Sequence, residues 1–362
     1  THKDYKYGSR DYIIFNEIDT DSININVWMD WIASDDPRTM YQIPSSGQVV
    51  NTFPTKTFRL PVDKQAVLKS GVVALKDQAK IVPYIDVTIK DEVIYKNRLL
   101  MLDIIANNNW QRPIYFSGGS FGDDDYLWMK DYLQMDGVVY KLVPIKTPVD
   151  KDNPFDMGRV DADKSYEIVK NWDWGNSGDP AVYHDIETRR NGLTYRSNLA
   201  RIAEALLKEN KLDKAREILD LAMEKMPVDT FAFYSLLEPY MQMYYSVNQP
   251  EKARDIYAQL AVVYQEKLLY FSSFKTNEQI DMRREIYTDM ERYRAVVTVL
   301  LAEDTKEYAL TEAIKFNEYI KLFPYLYNPD EGIELQDQSA LGSDTEIPAE
   351  ASLQELLQSQ AN

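Results

Sequence analysis

The rhythm of apolar and polar positions changes about halfway along the chain. Up to about residue 150, short apolar runs alternate with turn-forming residues. Beyond residue 192, apolar residues recur every three or four positions, the period of amphipathic helices. In the first half, Val27, Trp28, Trp31 and Ile32 predict a helix over Asn26 to Ser34, closed by Asp35, Asp36 and Pro37. Thr55 to Leu60, Ile81 to Ile89, Ile114 to Ser117 and Val138 to Val143 read as strands. Asp63 is placed to cap a short helix that closes at Gly71. Tyr95 to Asn107 reads as a buried helix, carrying Leu99, Leu100, Leu102, Ile104 and Ile105. Asp123 to Gln134 reads as another, its acidic first turn matched to the helix dipole. This succession predicts a small layered α+β or α/β domain over 1–150, with some parallel pairing. The polar stretch 151–192, anchored by Trp172 and Trp174, is expected to be a linker packed on the domains.

The second half, 193–327, reads as an all-α domain of helical hairpins. From Asn198, the residues Leu199, Ile202, Ala203 and Leu206 form one apolar face. Asn210 and Lys211 offer a turn, and Ala215, Leu219 and Ala222 repeat the pattern before Pro227. The order of large, small and terminating residues is that of a tetratricopeptide-like repeat. A second unit follows, with Leu237, Tyr240, Met241 and Tyr244, then Ala253, Tyr257 and Leu260. Its Ala253 stands 38 positions after Ala215. A degenerate third unit runs from about Ile286 to Pro324. Such units bury their faces by stacking, and they bind more often than they catalyse. An ordinary antiparallel bundle is the competing reading.

Composition narrows the classes. A formal charge of −17 over 362 residues argues against nucleic acid as a partner, and against docking on an anionic membrane surface. Part of that charge sits in 328–362, a stretch with acids and no Lys or Arg, expected to be a flexible acidic tail with one short amphipathic piece at Leu353 to Leu357. The absence of cysteine excludes disulfides and thiolate chemistry. With two histidines and no cysteine, no transition-metal site and no cofactor is expected. The longest apolar run, Leu99 to Ala106, is broken by Asp103, so no bilayer insertion by this chain is expected.

No catalytic constellation stands out. Gly118 to Gly122 followed by Asp123, Asp124 and Asp125 is the sharpest candidate: glycines allow close backbone approach, and Asp123 and Asp125 are able to hold a hard cation or simply to cap a helix. Adjacent Asp35 and Asp36 point apart on a helix, which disfavours paired acid–base work. His184 has no recognisable triad partners. Tyr234, Tyr240, Tyr244, Tyr245, Tyr257, Tyr264 and Tyr270 crowd the helical half, either filling the space between hairpins or lining a groove. Arg189, Arg190, Arg196 and Arg201 form one basic cluster, and Arg283, Arg284, Arg292 and Arg294 another, for internal pairing or for an acidic ligand. The binding candidates are therefore Tyr240, Tyr244, Arg196, Arg201, Asp123 and Asp125.

Several segments carry a resemblance: WIASDDPRT (31–39), FPTKTFRLPVDK (53–64), LDIIANNNWQRPIYFSGG (102–119), KDYLQMDGVVYKLVPIK (130–146) and DPAVYHDIETRRN (179–191). They resemble a bacterial family of multi-spanning membrane proteins long described as a domain of unknown function. That family is similar to GT-C type glycosyltransferases, protein O-mannosyltransferases among them, which use lipid-linked sugars. The resemblance implies a membrane region upstream of Thr1 that carries the catalytic acidic loop. It implies that this chain is a non-catalytic periplasmic C-terminal domain that binds or positions a protein or peptide acceptor. No catalytic residue carries over. A structural or oligomerisation module, and a metal-assisted enzyme at Asp123 to Asp125, are the alternatives.

Overall fold

The computed structural model describes residues 12–18, 21–34, 36–118, 122–149, 157–232, 236–327 and 332–333. Asp35, the 119–121 part of the glycine-rich loop, Tyr234 and Leu353 to Leu357 lie outside them. The chain divides into two compact units, Thr1–Trp172 and Asp173–Asn362.

The first unit is α+β. Its elements in order are β1 (Tyr12–Ile14), β2 (Ile23–Asn24), α1 (Ile25–Ala33), β3 (Met40–Gln42), β4 (Val49–Asn51), β5 (Thr57–Pro61), α2 (Lys64–Lys69), β6 (Tyr84–Thr88), β7 (Val93–Tyr95), α3 (Lys96–Asn108), β8 (Tyr115–Phe116), β9 (Leu133–Asp136), β10 (Val139–Leu142), β11 (Arg159–Val160) and α4 (Ala162–Lys170). Among the described residues the strands form four small sheets: β1-β7, β3-β4, β2-β5-β6 and β11-β9-β10-β8. The β2–β5 and β11–β9 pairs are parallel and the other strand pairs antiparallel. One core centres on Trp28, which stacks on Phe53 at 3.6 Å and leans on Phe58 at 5.1 Å. Its indole donates to the Thr55 carbonyl at 3.0 Å, so the ring's one polar atom is satisfied inside. Asp63 caps α2 through the Gln65 and Ala66 amides.

Two expectations for this unit change. Helix α3 does form, but Leu100 and Ile104 are more than half exposed, and the buried face is Leu102, Ile105 and Ala106. Asp123 to Gln134 is not a helix. It holds two short 3-10 turns, 124–126 and 130–132, and then runs into β9. Leu127 and Trp128 between the turns take left-handed φ of 53° and 58°. The local helical pattern loses to a hairpin: Leu133 and Met135 bury in β9, which pairs with β10 across a two-residue turn. Gly137 takes the first turn position at φ +72°, and a Cβ there would lie 2.6 Å from the Trp172 ring. Only glycine satisfies both demands.

The second unit is all helical in its described elements: α5 (Ile186–Lys208), α6 (Leu212–Lys225), α7 (Val228–Phe231), α8 (Glu238–Ser246), α9 (Pro250–Ser272), α10 (Thr276–Asp281), α11 (Arg283–Glu303) and α12 (Lys306–Ile320). Helices α5 and α6, α8 and α9, and α11 and α12 pack as successive hairpins. The first two turn on asparagines, Asn210 at φ 56° and Asn248 at φ 57°. These are separated by the same offset as Ala215 and Ala253. The offset also places buried Ile202 on buried Tyr240, Leu206 on Tyr244 and Leu219 on Tyr257, so two hairpins share one burial pattern. Gly192 lets Phe231 approach α5, since a Cβ would sit 2.7 Å from that ring.

Tyrosines bind these helices together. Tyr240 donates to the Arg196 carbonyl at 2.6 Å, Tyr244 to Asp220 at 2.9 Å, Tyr257 to Glu312 at 2.8 Å and Tyr264 to Glu238 at 3.0 Å. Tyr245 donates to Asp304, which Arg254 also holds at 2.8 Å. Tyr293 accepts from Gln265 at 2.6 Å. Burial is the main reason these phenols resist ionisation; Tyr319 is pushed up to about 12 and Tyr240, Tyr244, Tyr257, Tyr264 and Tyr293 further still. Raised folded-state values give stability that is complete below the ordinary phenol value of 10 and is lost as pH climbs toward the folded values. The buried phenols should therefore ionise well above the ordinary phenol value, and their phenolate absorbance should rise only with loss of helical circular dichroism. A single smooth titration with helices intact would show the phenols to be accessible.

Candidate functional site

In the second unit, three of the sequence-derived candidates meet in the interior. Arg196 sits on α5, 1 % exposed, with Nη1 donating to the Ala232 carbonyl at 2.6 Å and Nη2 to the Met226 carbonyl at 2.8 Å. Met226 is the C-cap of α6, so the guanidinium satisfies a carbonyl that the helix itself leaves orphaned. Burial lowers its pKa. Tyr240 and Tyr244 are 0 % and 2 % exposed, with their hydroxyls engaged as described. This trio is turned inward, and its hydrogen bonds run to the protein's own groups. Arg201 lies further along α5, partly buried. Elsewhere Arg190 pairs with Glu187 at 3.0 Å, and Arg294 pairs with Glu291 at 3.3 Å while lying over the Phe316 ring. His184 packs on Phe231 with ring centroids 4.9 Å apart, and its Nε2 lies 3.1 Å from the Ser177 carbonyl.

Asp123 and Asp125 belong to the first unit. Asp123 is held by Lys90 and, at 3.1 Å, by Lys130; Arg98 spans Asp124 at 3.1 Å and Asp125. Three cations thus face three carboxylates. Burial would raise the Asp123 pKa, but its two lysine partners outweigh burial and hold it below the usual range. A divalent cation would have to displace these partners before it met the carboxylates. Among the described residues no group of three or more His, Asp or Glu side chains is placed to hold a metal ion. Asp36 caps a short 3-10 turn through the Arg38 amide and pairs with the Arg38 side chain, which takes its pKa down to about 2.

Sequence reasoning missed a polar row whose centre is buried, with exposed Tyr115 at its edge. In the β11-β9-β10-β8 sheet, Arg159, Gln134, Lys141 and Tyr115 stand directly opposite one another in register. The neighbouring row, Val160, Met135, Tyr140 and Phe116, is apolar. Gln134, Asp136 and Lys141 are all 5 % exposed or less. Asp136 accepts from Gln134 at 2.8 Å and from Tyr115 at 3.2 Å, and it lies 3.2 Å from the Lys141 ammonium and 3.4 Å from that of Lys164. Arg159 links this set to Asp77 at 2.7 Å, and Lys80 holds the other Asp77 oxygen at 2.6 Å. Burial pulls Lys141 down to about 8, only partly opposed by Asp136. Of two ammoniums sharing one carboxylate, the more deeply buried one gives up its proton first. Val138 to Val143 was legible as a strand, but the segment before it read as a helix, so the pairing of β9 with β10 and the row it builds were not. Packing over that row is what buries its centre.

A second missed feature is the turn after α3. Asn109 and Trp110 both take left-handed φ, 47° and 57°. The Asn108 side chain clamps the turn, donating to the Arg112 carbonyl at 2.8 Å and accepting from the Arg112 amide at 3.0 Å. The Trp110 indole donates to the Pro61 carbonyl at 2.8 Å. The NNNWQRP segment is a clamped bend, and a left-handed tryptophan costs on the order of 1–3 kcal/mol that those bonds offset.

Residues 1–164, nearly all of the first unit, match the family model described as TMEM260-associated domain 2, a description that links the family to a membrane protein. No curated protein and no solved structure matches the chain. Among the described residues no helix is long and apolar enough to cross a membrane.

The buried row yields a direct test. Asp136→Asn leaves Lys141 and Lys164 without their shared carboxylate and should cost about 3–5 kcal/mol in urea unfolding at neutral pH. The loss should shrink above pH 8, where Lys141 sheds its proton. Lys141→Met should be neutral or stabilising, most of all below pH 8, because Asp136 keeps Lys164, Gln134 and Tyr115 as partners while the wild type there carries a buried ammonium. Equal, pH-independent losses in both variants would show the row to be solvated.

Proposed function

We propose that this chain is the extracytoplasmic, non-catalytic C-terminal part of a membrane-embedded glycosyltransferase, where it positions a protein or peptide acceptor. The observation that carries the reading is the match of residues 1–164 to a domain associated by description with a transmembrane protein. The resemblance of the WIASDDPRT, FPTKTFRLPVDK and NNNWQRPIYF segments to the GT-C-like family supplies the chemistry. Stacked helical hairpins, in the manner of tetratricopeptide units, supply a scaffold of the kind used for holding partners. The role leaves sugar transfer to a membrane region preceding Thr1.

Two experiments test it. The chain has no cysteine, so Tyr183→Cys, at a side chain 86 % exposed, gives a single thiol in this part of the protein. Expressed with the membrane region and any native cysteines of that region removed, it should react with a membrane-impermeant maleimide in intact spheroplasts. Protection until lysis would place the chain on the cytoplasmic side and end the reading. The isolated chain should show no sugar transfer from a lipid-linked donor, and turnover by the chain alone would make it the enzyme.

A further inference from the structure

Asn317 is an unexpected residue where it stands. It lies inside α12, where asparagine is a weak helix former, and on the stripe of Leu310 and Ala313, both of them buried. Its side-chain amide is spent on the main chain of a residue 16 positions further on. Nδ2 donates to the Ile333 carbonyl at 3.0 Å, and Oδ1 accepts from the Ile333 amide at 2.8 Å. One carboxamide thus satisfies both main-chain groups of a single residue, the exchange that a neighbouring strand would make. The Ile333 side chain takes no part in these bonds.

Gly332 fits against the same oxygen. A Cβ there would lie 2.9 Å from Asn317 Oδ1 and 3.2 Å from its Cγ, so a larger residue would push away the atom that accepts from Ile333. The contact therefore demands two things: a main-chain N–H and C=O free at one residue, and no side chain on the residue before it. Neither demand requires that the segment belong to this chain. Two neutral hydrogen bonds hold it by a factor on the order of 5 to 100, weak enough for exchange. We propose that α12 carries a backbone-binding site centred on Asn317, filled in cis by Gly332 and Ile333, and filled by an extended glycine–aliphatic step of a partner polypeptide when that segment leaves. The cis segment is a built-in competitor, and its effective concentration, ~1 mM or more on a short tether, sets the threshold that a partner must exceed.

Neither sugar transfer nor membrane sidedness enters the test, so this site and the role proposed above fail separately. The whole ¹⁵N-labelled chain carrying Gly332→Val, a side chain that dislodges the cis segment, is titrated with acetyl-Glu-Gly-Ile-Glu-amide. A saturable shift of the Asn317 side-chain amide is expected, with a Kd on the order of 1 mM. Methylating the isoleucine nitrogen of the peptide, or replacing its glycine by valine, should weaken binding about tenfold. In the wild type the same peptide should displace the cis segment at roughly tenfold higher concentration, read as faster solvent exchange of the Ile333 amide. Absence of a saturable shift in the variant, equal affinity for the N-methylated peptide, or an Ile333 amide that excess peptide leaves protected would each overturn the proposal. The wild-type measurement needs no substitution, so it decides the matter even where Gly332→Val does not fold.

Discussion

A tyrosine can fill a helical core only if its hydroxyl finds a partner there, and the second unit is organised around that requirement. Tyr244, Tyr257 and Tyr264 each reach from one helix to a carboxylate on another, and Tyr240 reaches a main-chain carbonyl. The rings supply apolar area and the hydroxyls fix where each helix lies along its neighbour. Leucines would bury comparable surface with no such preference for register. The surplus of acid in this chain acquires a structural use in consequence: Asp220, Glu238, Asp304 and Glu312 are acceptors for phenols before they are surface charges. Arg196 follows the same logic with the sign reversed, a buried cation whose two terminal nitrogens are held by carbonyl oxygens.

The first unit solves a different problem. Its sheets are small and its strands short, so no single sheet supplies a broad apolar face. Trp28, Phe53 and Phe58 concentrate one core. The four-stranded sheet accepts a buried polar row instead, with Asp136 serving two lysines, a glutamine and a tyrosine. A fully paired network of this sort is tolerated inside a protein, whereas removing the carboxylate that two ammoniums share leaves both without it. The landmark segments have structural uses in the same economy. FPTKTFRLPVDK provides two core rings, the carbonyl that receives the Trp28 indole and the cap of α2. KDYLQMDGVVYKLVPIK provides the hairpin that carries the polar row. NNNWQRP provides the clamped turn after α3.

Much of this was readable in the residues themselves. Period-3.6 runs gave α5, α6, α9 and α11, and Asn210 marked its turn because asparagine tolerates the left-handed conformation. Asp63 announced α2. The Asp123 to Gln134 segment misled because its acidic start and apolar spacing satisfy a helix locally, while the strand pairing that wins involves residues further along the chain. Leu100 and Ile104 misled because an apolar run says that some face is buried without saying which. Among the site candidates, the residue types were legible and their surroundings were not. Nothing in the neighbourhood of Arg196 in sequence indicates two carbonyls from residues 226 and 232, and nothing near Asp123 indicates Lys90 or Arg98.

The sequence by itself therefore determined a half of mixed strands and helices followed by helical hairpins, since periodicity and caps are local properties that survive whatever surrounds them, and left α+β against α/β to the strand pairing. Tertiary structure alone decided the meaning of the polar residues. Whether an arginine, an aspartate or a tyrosine faces a ligand or a neighbouring helix depends on groups tens of positions away, and on whether the packing between them excludes water. The same carboxylate is a solvated charge on a surface and a fixed acceptor in a core. Only the fold tells exposed Arg112 from Arg159, locked across a sheet.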